Sequence, residues 1–153
     1  MEVQRLLSTL ALRERTLVLV AFGTGLRMSE LFALKWRDVN FQTNEVSIVR
    51  SIVFQVISPC KTEASQKPFP LDPQLADALL RWRQRTRYTG PDDWVFASHA
   101  TRGQYPYWGQ CIVRIFIRSA ALKVGILKQI AWHIFRHYLP FLTMSSDMGQ
   151  RPI

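Results

Sequence analysis

Residues 25–39 read Gly-Leu-Arg-Met-Ser-Glu-Leu-Phe-Ala-Leu-Lys-Trp-Arg-Asp-Val, and more than any other stretch they decide how the chain folds. They follow a turn, Gly23-Thr24-Gly25, whose two glycines permit backbone angles that other residues avoid. A short helix is predicted over Met28–Leu34, with its leucines facing inward. Arg27 then stands at a loop-to-helix junction, where its guanidinium and the free N–H groups of the helix can face one anion.

The segment upstream of the glycine turn predicts two helices. Leucines and a valine recur at i, i+3, i+4 and i+7 from Val3 to Leu10, which is typical of an amphipathic helix. Leu17–Phe22 predicts a buried helix that stops at the glycines. This apolar run has six residues, whereas roughly 20 are needed to cross a bilayer. Because residues 1–5 also resemble no export signal, we expect an intracellular, cytoplasmic protein with no membrane partner.

Downstream, the pattern changes to short strands. Glu45–Ile57 is rich in Val, Ile and Phe, which predicts one strand, broken at Ser58-Pro59. A second strand is expected at Lys67–Leu71, with the polar segment 60–65 as the hairpin connection.

The second half predicts mostly helix. Asp72-Pro73 is a helix start, with Asp as cap and Pro at the first helical position. Val95-Phe96 is a candidate short strand, and a last helical piece should begin near His133. A further helix, ending near Gly125, should present one face made of Ile112, Ile115, Phe116 and Ser119. Five or six helices with a small antiparallel sheet give an α+β class that is mainly α.

The composition of the chain limits the classes of binding partner to be expected. The formal charge is +9; residues 1–77 hold nine basic and eight acidic side chains, while residues 78–153 hold eleven and three. This field favours a polyanion such as nucleic acid, although a solvated basic surface is the plain alternative. Eighteen aromatic residues exclude disorder for the whole chain. Cys60 and Cys111 are too far apart for a zinc motif and fit a reducing compartment.

Four polar residues could serve one phosphate: Arg27, Lys61, His133 and Arg136. If these four side chains lie close together in the folded protein, they would form a phosphate-binding site with a group for proton transfer. Each also has a structural interpretation, since Arg27 can pair with Glu30, Lys61 can be a solvated loop lysine and His133 can cap a helix. Metal is not expected: the spacing from His133 to His137 suits zinc, but a metalloprotease would have Glu where this chain has Ile.

Three motifs resemble those of the tyrosine recombinase (phage integrase) family. Residues 25–39 resemble its first arginine motif, and residues 61–71, Lys-Thr-Glu-Ala-Ser-Gln-Lys-Pro-Phe-Pro-Leu, its hairpin with a catalytic lysine. Residues 133–137, His-Ile-Phe-Arg-His, resemble its His-x-x-Arg box. The resemblance runs to about residue 137 and implies the catalytic-domain fold of the family, with a small antiparallel sheet against a helical bundle.

The resemblance also implies roles in DNA strand breakage and rejoining. Arg27 and Arg136 would hold the nonbridging oxygens of the scissile phosphate, and Lys61 would protonate the leaving 5′ oxygen. His133 would assist proton transfer or orient the phosphate, and Glu30 would support Arg27. No cofactor and no metal are implied. Double-stranded DNA is the implied partner, with other recombinase protomers as a further candidate.

The family's nucleophilic tyrosine has no counterpart among Tyr88, Tyr105, Tyr107 and Tyr138. Tyr138, two residues after Arg136, would point to a different face of the same helix. Pro140 would oppose the carbonyl of Arg136 in such a helix, at roughly 3 kcal/mol. We therefore expect an incomplete catalytic domain over 1–137 with a divergent or frameshifted tail over 138–153, inactive alone. The alternatives are a noncatalytic DNA-binding module and a nonfunctional pseudogene product.

Overall fold

The computed structural model describes residues 2–59, 68–126 and 132. Its helices are α1 (Glu2–Thr9), α2 (Leu12–Thr24), α3 (Met28–Leu31), α4 (Pro73–Arg85), α5 (Gly109–Ile112) and α6 (Arg118–Lys123), with a 3-10 turn at Trp36–Asp38 and a π-helical segment at Val113–Ile117. Its strands are β1 (Val39–Asn40), β2 (Glu45–Val46), β3 (Arg50–Val53), β4 (Val56–Pro59) and β5 (Phe69–Pro70). The α+β, mainly α class predicted from the sequence is confirmed.

Helix α2 is the buried helix of the fold and ends as predicted at the glycine turn. Gly25 takes the left-handed conformation (φ 68°), and its N–H closes the helix on the carbonyl of Ala21 at 3.0 Å. Helix α2 packs against α4, and a Cβ at Gly23 would lie 2.2 Å from a Leu75 methyl. Glycine is therefore what allows these two helices to approach.

Helix α4 begins where the sequence predicted. The Asp72 side chain accepts a hydrogen bond from the backbone N–H of Gln74 at 2.8 Å, and Pro73 occupies the first helical position. Its inward face is formed by Leu75, Ala76 and Leu79.

Helix α3 is shorter than the predicted Met28–Leu34. After Leu31 the chain tightens into turns, and the carbonyl of Leu34 accepts the N–H of Val95 at 2.9 Å. The N–H groups of Ala33 and Leu34 donate to the carbonyls three residues earlier, those of Glu30 and Leu31, at 3.2 Å, so this last turn has the tighter 3-10 spacing and not that of an α-helix. Leu31 and Leu34 are both buried, as predicted.

The strands form two separate antiparallel sheets. The first has the order β1-β2-β5, with Val46 paired to both Val39 and Phe69. The second is the hairpin β3–β4, in which Arg50 lies opposite Pro59.

The prediction of one strand over Glu45–Ile57 was wrong. The chain reverses at Phe54 and Gln55, which have φ values of 49° and 61°, so the hairpin turn comes earlier than Ser58-Pro59. Pro59 does not break the strand but pairs across it, at its end, where a missing N–H is tolerated. The connection predicted at 60–65 lies outside the described residues.

Val95 and Phe96 form a turn rather than the predicted strand. Isolated bridges flank them, Lys35 with Trp94 and Ala97 with Pro106. Both side chains are fully buried, so these two apolar residues belong to the core although they do not form a strand.

The face predicted for the later helix was wrong in part. Ile112 is buried, but Ile115, Phe116 and Ser119 are exposed. The buried positions are instead Val113, Ile117, Ala120 and Ala121, at i, i+4, i+7 and i+8, in a stretch that includes the π-helical segment. Both sets of residues follow helical spacing, so periodicity alone could not choose between the two faces.

No helix within residues 2–59 and 68–126 has the length and apolar character needed to span a bilayer.

Candidate functional site

Arg27 presents its charge from a fixed backbone position. It is the N-terminal flanking residue of α3, with extended angles (φ −68°, ψ 153°), and it follows the buried Leu26. Its side chain is 71% exposed. The sequence prediction of a loop-to-helix junction is confirmed, and the guanidinium is accessible to a ligand.

Glu30 lies beside Arg27 as both interpretations of the sequence expected. The Arg27 Nε to Glu30 Oε1 distance is 3.8 Å. Such an exposed pair contributes little stability, of the order of 0.2–1 kcal/mol, and leaves most of the guanidinium uncovered. Glu30 can thus bias the direction of the arginine without neutralising its access to an anion.

The helix N–H groups contribute less than expected at this site. Helix α3 has four residues, and the amides of Glu30 and Leu31 donate to Arg27's own carbonyl at 3.0 and 2.9 Å. The guanidinium is therefore the main source of positive charge at the junction.

Trp132, the last described residue, contacts the backbone beside Arg27. Its indole Nε1–H donates to the carbonyl of Leu26 at 3.1 Å, and its ring centroid lies 5.9 Å from that of Phe32. The residue preceding His133 in the sequence therefore contacts the residue preceding Arg27.

Gly109 holds α3 from a second side. A Cβ at this position would lie 2.6 Å from side-chain atoms of both Met28 and Phe32. The close approach of α5 to α3 requires glycine and leaves little room for Arg27's helix to shift.

A buried ion pair joins the motif stretch to the hairpin. Arg50 Nη1 lies 2.5 Å from Asp38 Oδ2 and 3.0 Å from the carbonyl of Ala33, while Asp38 also accepts the N–H of Lys35 at 2.9 Å. The side chains of Arg50 and Asp38 are 16% and 5% exposed. Arg50 was not singled out from the sequence, because its only signal there is one charged residue within an apolar stretch.

Lys35 belongs to this framework. Burial lowers the pKa of its ammonium, as do the nearby Arg50 and Arg37, against an opposing effect of Asp38. Its Nζ lies 4.8 Å from the centroid of the Trp94 ring. This cation–π contact holds the Lys35 side chain against the Trp94 ring.

Two arginines add positive charge near α3. A groove of about 400 Å³ is lined by Arg114 and Arg118 together with Met28 and Trp132. These arginines were not singled out in the sequence, because nothing in their spacing places them beside Arg27.

Of the predicted site residues, the structure brings together Arg27 and Glu30. Lys61, His133 and Arg136 lie outside the described residues, as does Tyr138. Among residues 2–59 and 68–126, no three His, Cys, Asp or Glu side chains cluster as metal ligands would.

The three described tyrosines make structural contacts within the domain. The Tyr88 ring packs against His99, with centroids 5.6 Å apart, and Tyr107 lies under the Arg13 guanidinium at 4.4 Å. The carbonyl of Tyr105 accepts the N–H of Ser98 at 2.9 Å.

Comparison with known proteins gives consistent matches. The family model described as the phage integrase family matches residues 1–150. The tyrosine recombinase XerC of Xanthomonas axonopodis pv. citri is 30% identical over 128 residues, covering 84% of this chain and 37% of that protein. The tyrosine recombinase XerD of Listeria innocua is 28% identical over 144 residues, covering 89% and 44%. This chain thus spans less than half the length of these curated relatives.

Solved structures share the fold. The crystal structure of the XerA recombinase has a TM-score of 0.70 at 23% identity, covering 95% of this chain and 48% of that one. The Tn1549 transposon integrase in complex with transposon right end DNA has a TM-score of 0.64 at 19% identity, covering 92% and 48%. The fold is therefore that of a tyrosine recombinase catalytic domain, and the chain belongs to the phage integrase family.

Proposed function

We propose that this chain forms the phosphate-binding part of a catalytic domain for DNA strand breakage and rejoining. The observation that carries the proposal is the placement of Arg27: exposed, paired to Glu30, and next in sequence to the Leu26 carbonyl that Trp132 binds. An accessible guanidinium on a rigid backbone suits electrostatic stabilisation of a phosphate whose charge grows during reaction.

The proposed chemistry uses the four residues of the family motifs. Arg27 and Arg136 hold the two nonbridging oxygens of the scissile phosphate. A tyrosine hydroxyl loses its proton to a base, for which His133 is the candidate, and its oxygen forms a bond to phosphorus; the bond from phosphorus to the 5′ oxygen breaks, and Lys61 gives that oxygen its proton. His133 assists proton transfer or orients the phosphate. The contact between Trp132 and Leu26 supports the approach of His133 to Arg27, because consecutive Cα atoms are only about 3.8 Å apart.

We further propose that residues 1–137 act as the catalytic domain without supplying its nucleophile, and that residues 138–153 are a divergent tail. The contacts of two of the described tyrosines support this assignment: the Tyr88 ring packs against His99, and the Tyr107 ring lies under the Arg13 guanidinium, so both rings are engaged in packing within the domain. Tyr138 is also a poor candidate for the nucleophile, because two residues after Arg136 it would lie on a different face of the same helix. A nucleophile from another protomer would complete the reaction.

Double-stranded DNA inside the cell is the proposed partner. The charge of +9 and the arginines lining the groove beside α3 support it. The DNA complexes of the Tn1549 integrase add support by fold similarity. Other recombinase protomers are the second proposed partner.

Changing Arg27 to Ala is expected to weaken binding to a random-sequence duplex and to lower its salt dependence. Loss of one phosphate contact should reduce the slope of log K against log salt concentration by about 0.9. The measurement is a fluorescence-anisotropy titration of a labelled duplex at several salt concentrations.

The matched control for Arg27 is Arg85→Ala, which removes the same charge from the exposed end of α4. An equal loss of affinity in both variants would show that only net charge matters, and the phosphate site would then be abandoned.

Incubating the chain alone with a nicked suicide duplex is expected to give no covalent protein–DNA adduct, because in this proposal none of its four tyrosines acts as the nucleophile. A denaturing gel detects such an adduct directly. An adduct that disappears in Tyr138→Phe would refute the claim of inactivity. Salt-sensitive binding without cleavage, even when an intact recombinase is added in trans, would instead identify a noncatalytic DNA-binding module.

A further inference from the structure

A buried carboxylate with no part in the proposed chemistry lies in the first turn of α2. Glu14 is 3% exposed; its Oε1 accepts the Nε–H of Arg13 at 2.8 Å and pairs with Nη2 of the same guanidinium. A carboxylate removed from water is costly unless it is paired and hydrogen-bonded. Glu14 therefore needs this guanidinium and fixes its direction.

The Arg13 guanidinium also contacts two aromatic rings. Its Cζ lies 4.4 Å from the centroid of the Tyr107 ring and 4.6 Å from that of the Phe116 ring. A cation this close to the face of an aromatic ring is attracted by the charge distribution of the ring. A planar guanidinium can donate to a carboxylate at its edge while its face lies on a ring, which an ammonium cannot do.

The two rings stand at the two ends of residues 107–116, which we call the α5 segment. Inside the α5 segment, a Cβ at Gly109 would lie 2.6 Å from side-chain atoms of Met28, so this part packs directly on α3. Further along, the exposed Arg114 lines a groove together with Met28. One guanidinium therefore contacts both ends of the segment that carries Arg114 beside α3.

The two ends of the α5 segment differ in how else they are held. The N–H of Tyr107 donates to the carbonyl of Phe96 at 2.9 Å, which fixes the first end on the core. Phe116 is 43% exposed, so the core covers only part of this residue. Because the buried Val113 and Ile117 still hold the inner face, loss of the Arg13 contact should cause a small rotation. Such a rotation moves the end of a long side chain further than it moves the backbone.

Resting on the proposed function, we propose that Arg13 is a positioning residue for DNA binding, which holds the α5 segment so that Arg114 reaches a phosphate of the duplex bound at Arg27. Met28, which follows Arg27 in the sequence, lines the same groove as Arg114. Hydrogen bonds from a guanidinium to a phosphate have strict geometry, and a shift of about 1 Å can remove their benefit. Arg13 itself stays engaged with Glu14 and does not touch DNA.

Three substitutions weaken the contact without changing the net charge: Arg13→Lys, Tyr107→Leu and Phe116→Leu. Each should lower the slope of log K against log salt concentration for duplex binding by about 0.9, because one phosphate contact is lost. A purely structural role would lower the melting temperature and leave this slope unchanged. The measurement is a fluorescence-anisotropy titration of a labelled duplex, at a temperature where a melting curve shows each variant to be folded.

A double variant tests whether Arg13 acts through Arg114. Arg114→Ala alone should lower the slope by about 0.9. In Arg13→Lys/Arg114→Ala the slope should fall no further, because the same contact cannot be lost twice. Additive changes would overturn the positioning role. Tyr107→Phe keeps the aromatic face under the guanidinium and should keep the slope of the unaltered chain.

Arg83→Lys is the matched control. The Cζ of Arg83 lies 5.0 Å from the centroid of the Trp36 ring, so the same substitution removes a guanidinium–ring contact outside the α5 segment. It should leave the slope unchanged. An equal fall in Arg83→Lys and Arg13→Lys would show that any loss of packing alters DNA binding, and the positioning role would be abandoned.

Two results separate the positioning role from the proposed function. An unchanged slope in Arg13→Lys and Tyr107→Leu, with the expected fall in Arg27→Ala, would overturn the positioning role and leave the proposed function standing. Failure of the unaltered chain to bind duplex would overturn the proposed function, and the positioning role with it.

Discussion

Replacing Asp38 with Ala is expected to lower the free energy of unfolding by about 3–5 kcal/mol. The substitution leaves the guanidinium of Arg50, which is only 16% exposed, without its carboxylate partner. It also removes the acceptor for the N–H of Lys35. Because a partly buried charge retains its desolvation cost when its partner is lost, the effect exceeds that of the contact alone. Urea denaturation followed by tryptophan fluorescence measures it.

Two further variants test whether the unpaired charge of Arg50 causes this loss of stability. In Asp38→Ala/Arg50→Met no unpaired charge remains, so the double variant should be less destabilised than the sum of the single variants. Asp77→Ala breaks the exposed pair with Arg81 and should change stability by only about 0.5 kcal/mol or less. Similar losses for Asp38→Ala and Asp77→Ala would contradict the importance of burial.

Replacing Phe96 with Ala is expected to lower the free energy of unfolding by about 3–5 kcal/mol. Phe96 is fully buried and sits between Phe32 and Trp82, with ring centroids 6.0 and 6.2 Å away. Removing the ring leaves a cavity that a rigid core fills poorly. Since Phe32 also touches Trp132, the loss should loosen the support beneath Arg27's helix. Thermal and urea unfolding give the measurement.

Phe54→Ala is the matched control for Phe96, because it removes the same side chain from an exposed position. Its effect on stability should be within about 0.5 kcal/mol. A cost for Phe96→Ala as small as this would mean that the core relaxes around the missing ring, and the proposed support of the site would fail.

Local signals were sufficient where the interactions are local. The start of α4 depends on Asp72 and Pro73, which satisfy and pre-set the first turn from within four residues. The end of α2 at the glycine turn, likewise, needs only a residue that tolerates positive φ. Arg27 at its junction follows from these two boundaries.

Local signals failed where distant residues decide. Glu45–Ile57 looked like one strand because it is rich in Val, Ile and Phe, yet the chain turns at Phe54 and Gln55, where the Gln55 side chain bonds to the carbonyl of Pro106. Ile115 and Phe116 are exposed although their spacing fits an α-helical core face, because a second apolar face with helical spacing, which includes Val113 and Ile117, is the one that packs. Local spacing and propensity cannot decide such cases, because tertiary contacts outweigh them.

The amino-acid sequence alone was enough for the family, the mainly α class and the candidates for a phosphate site, because motif identity and charge are properties of the chain. The tertiary structure decided which groups support that site. The Asp38–Arg50 pair and the bond from Trp132 to Leu26 join residues that are not neighbours in sequence. Both contacts exist only once folding has brought these segments together, and burial of the ion pair then makes the loss of either partner costly.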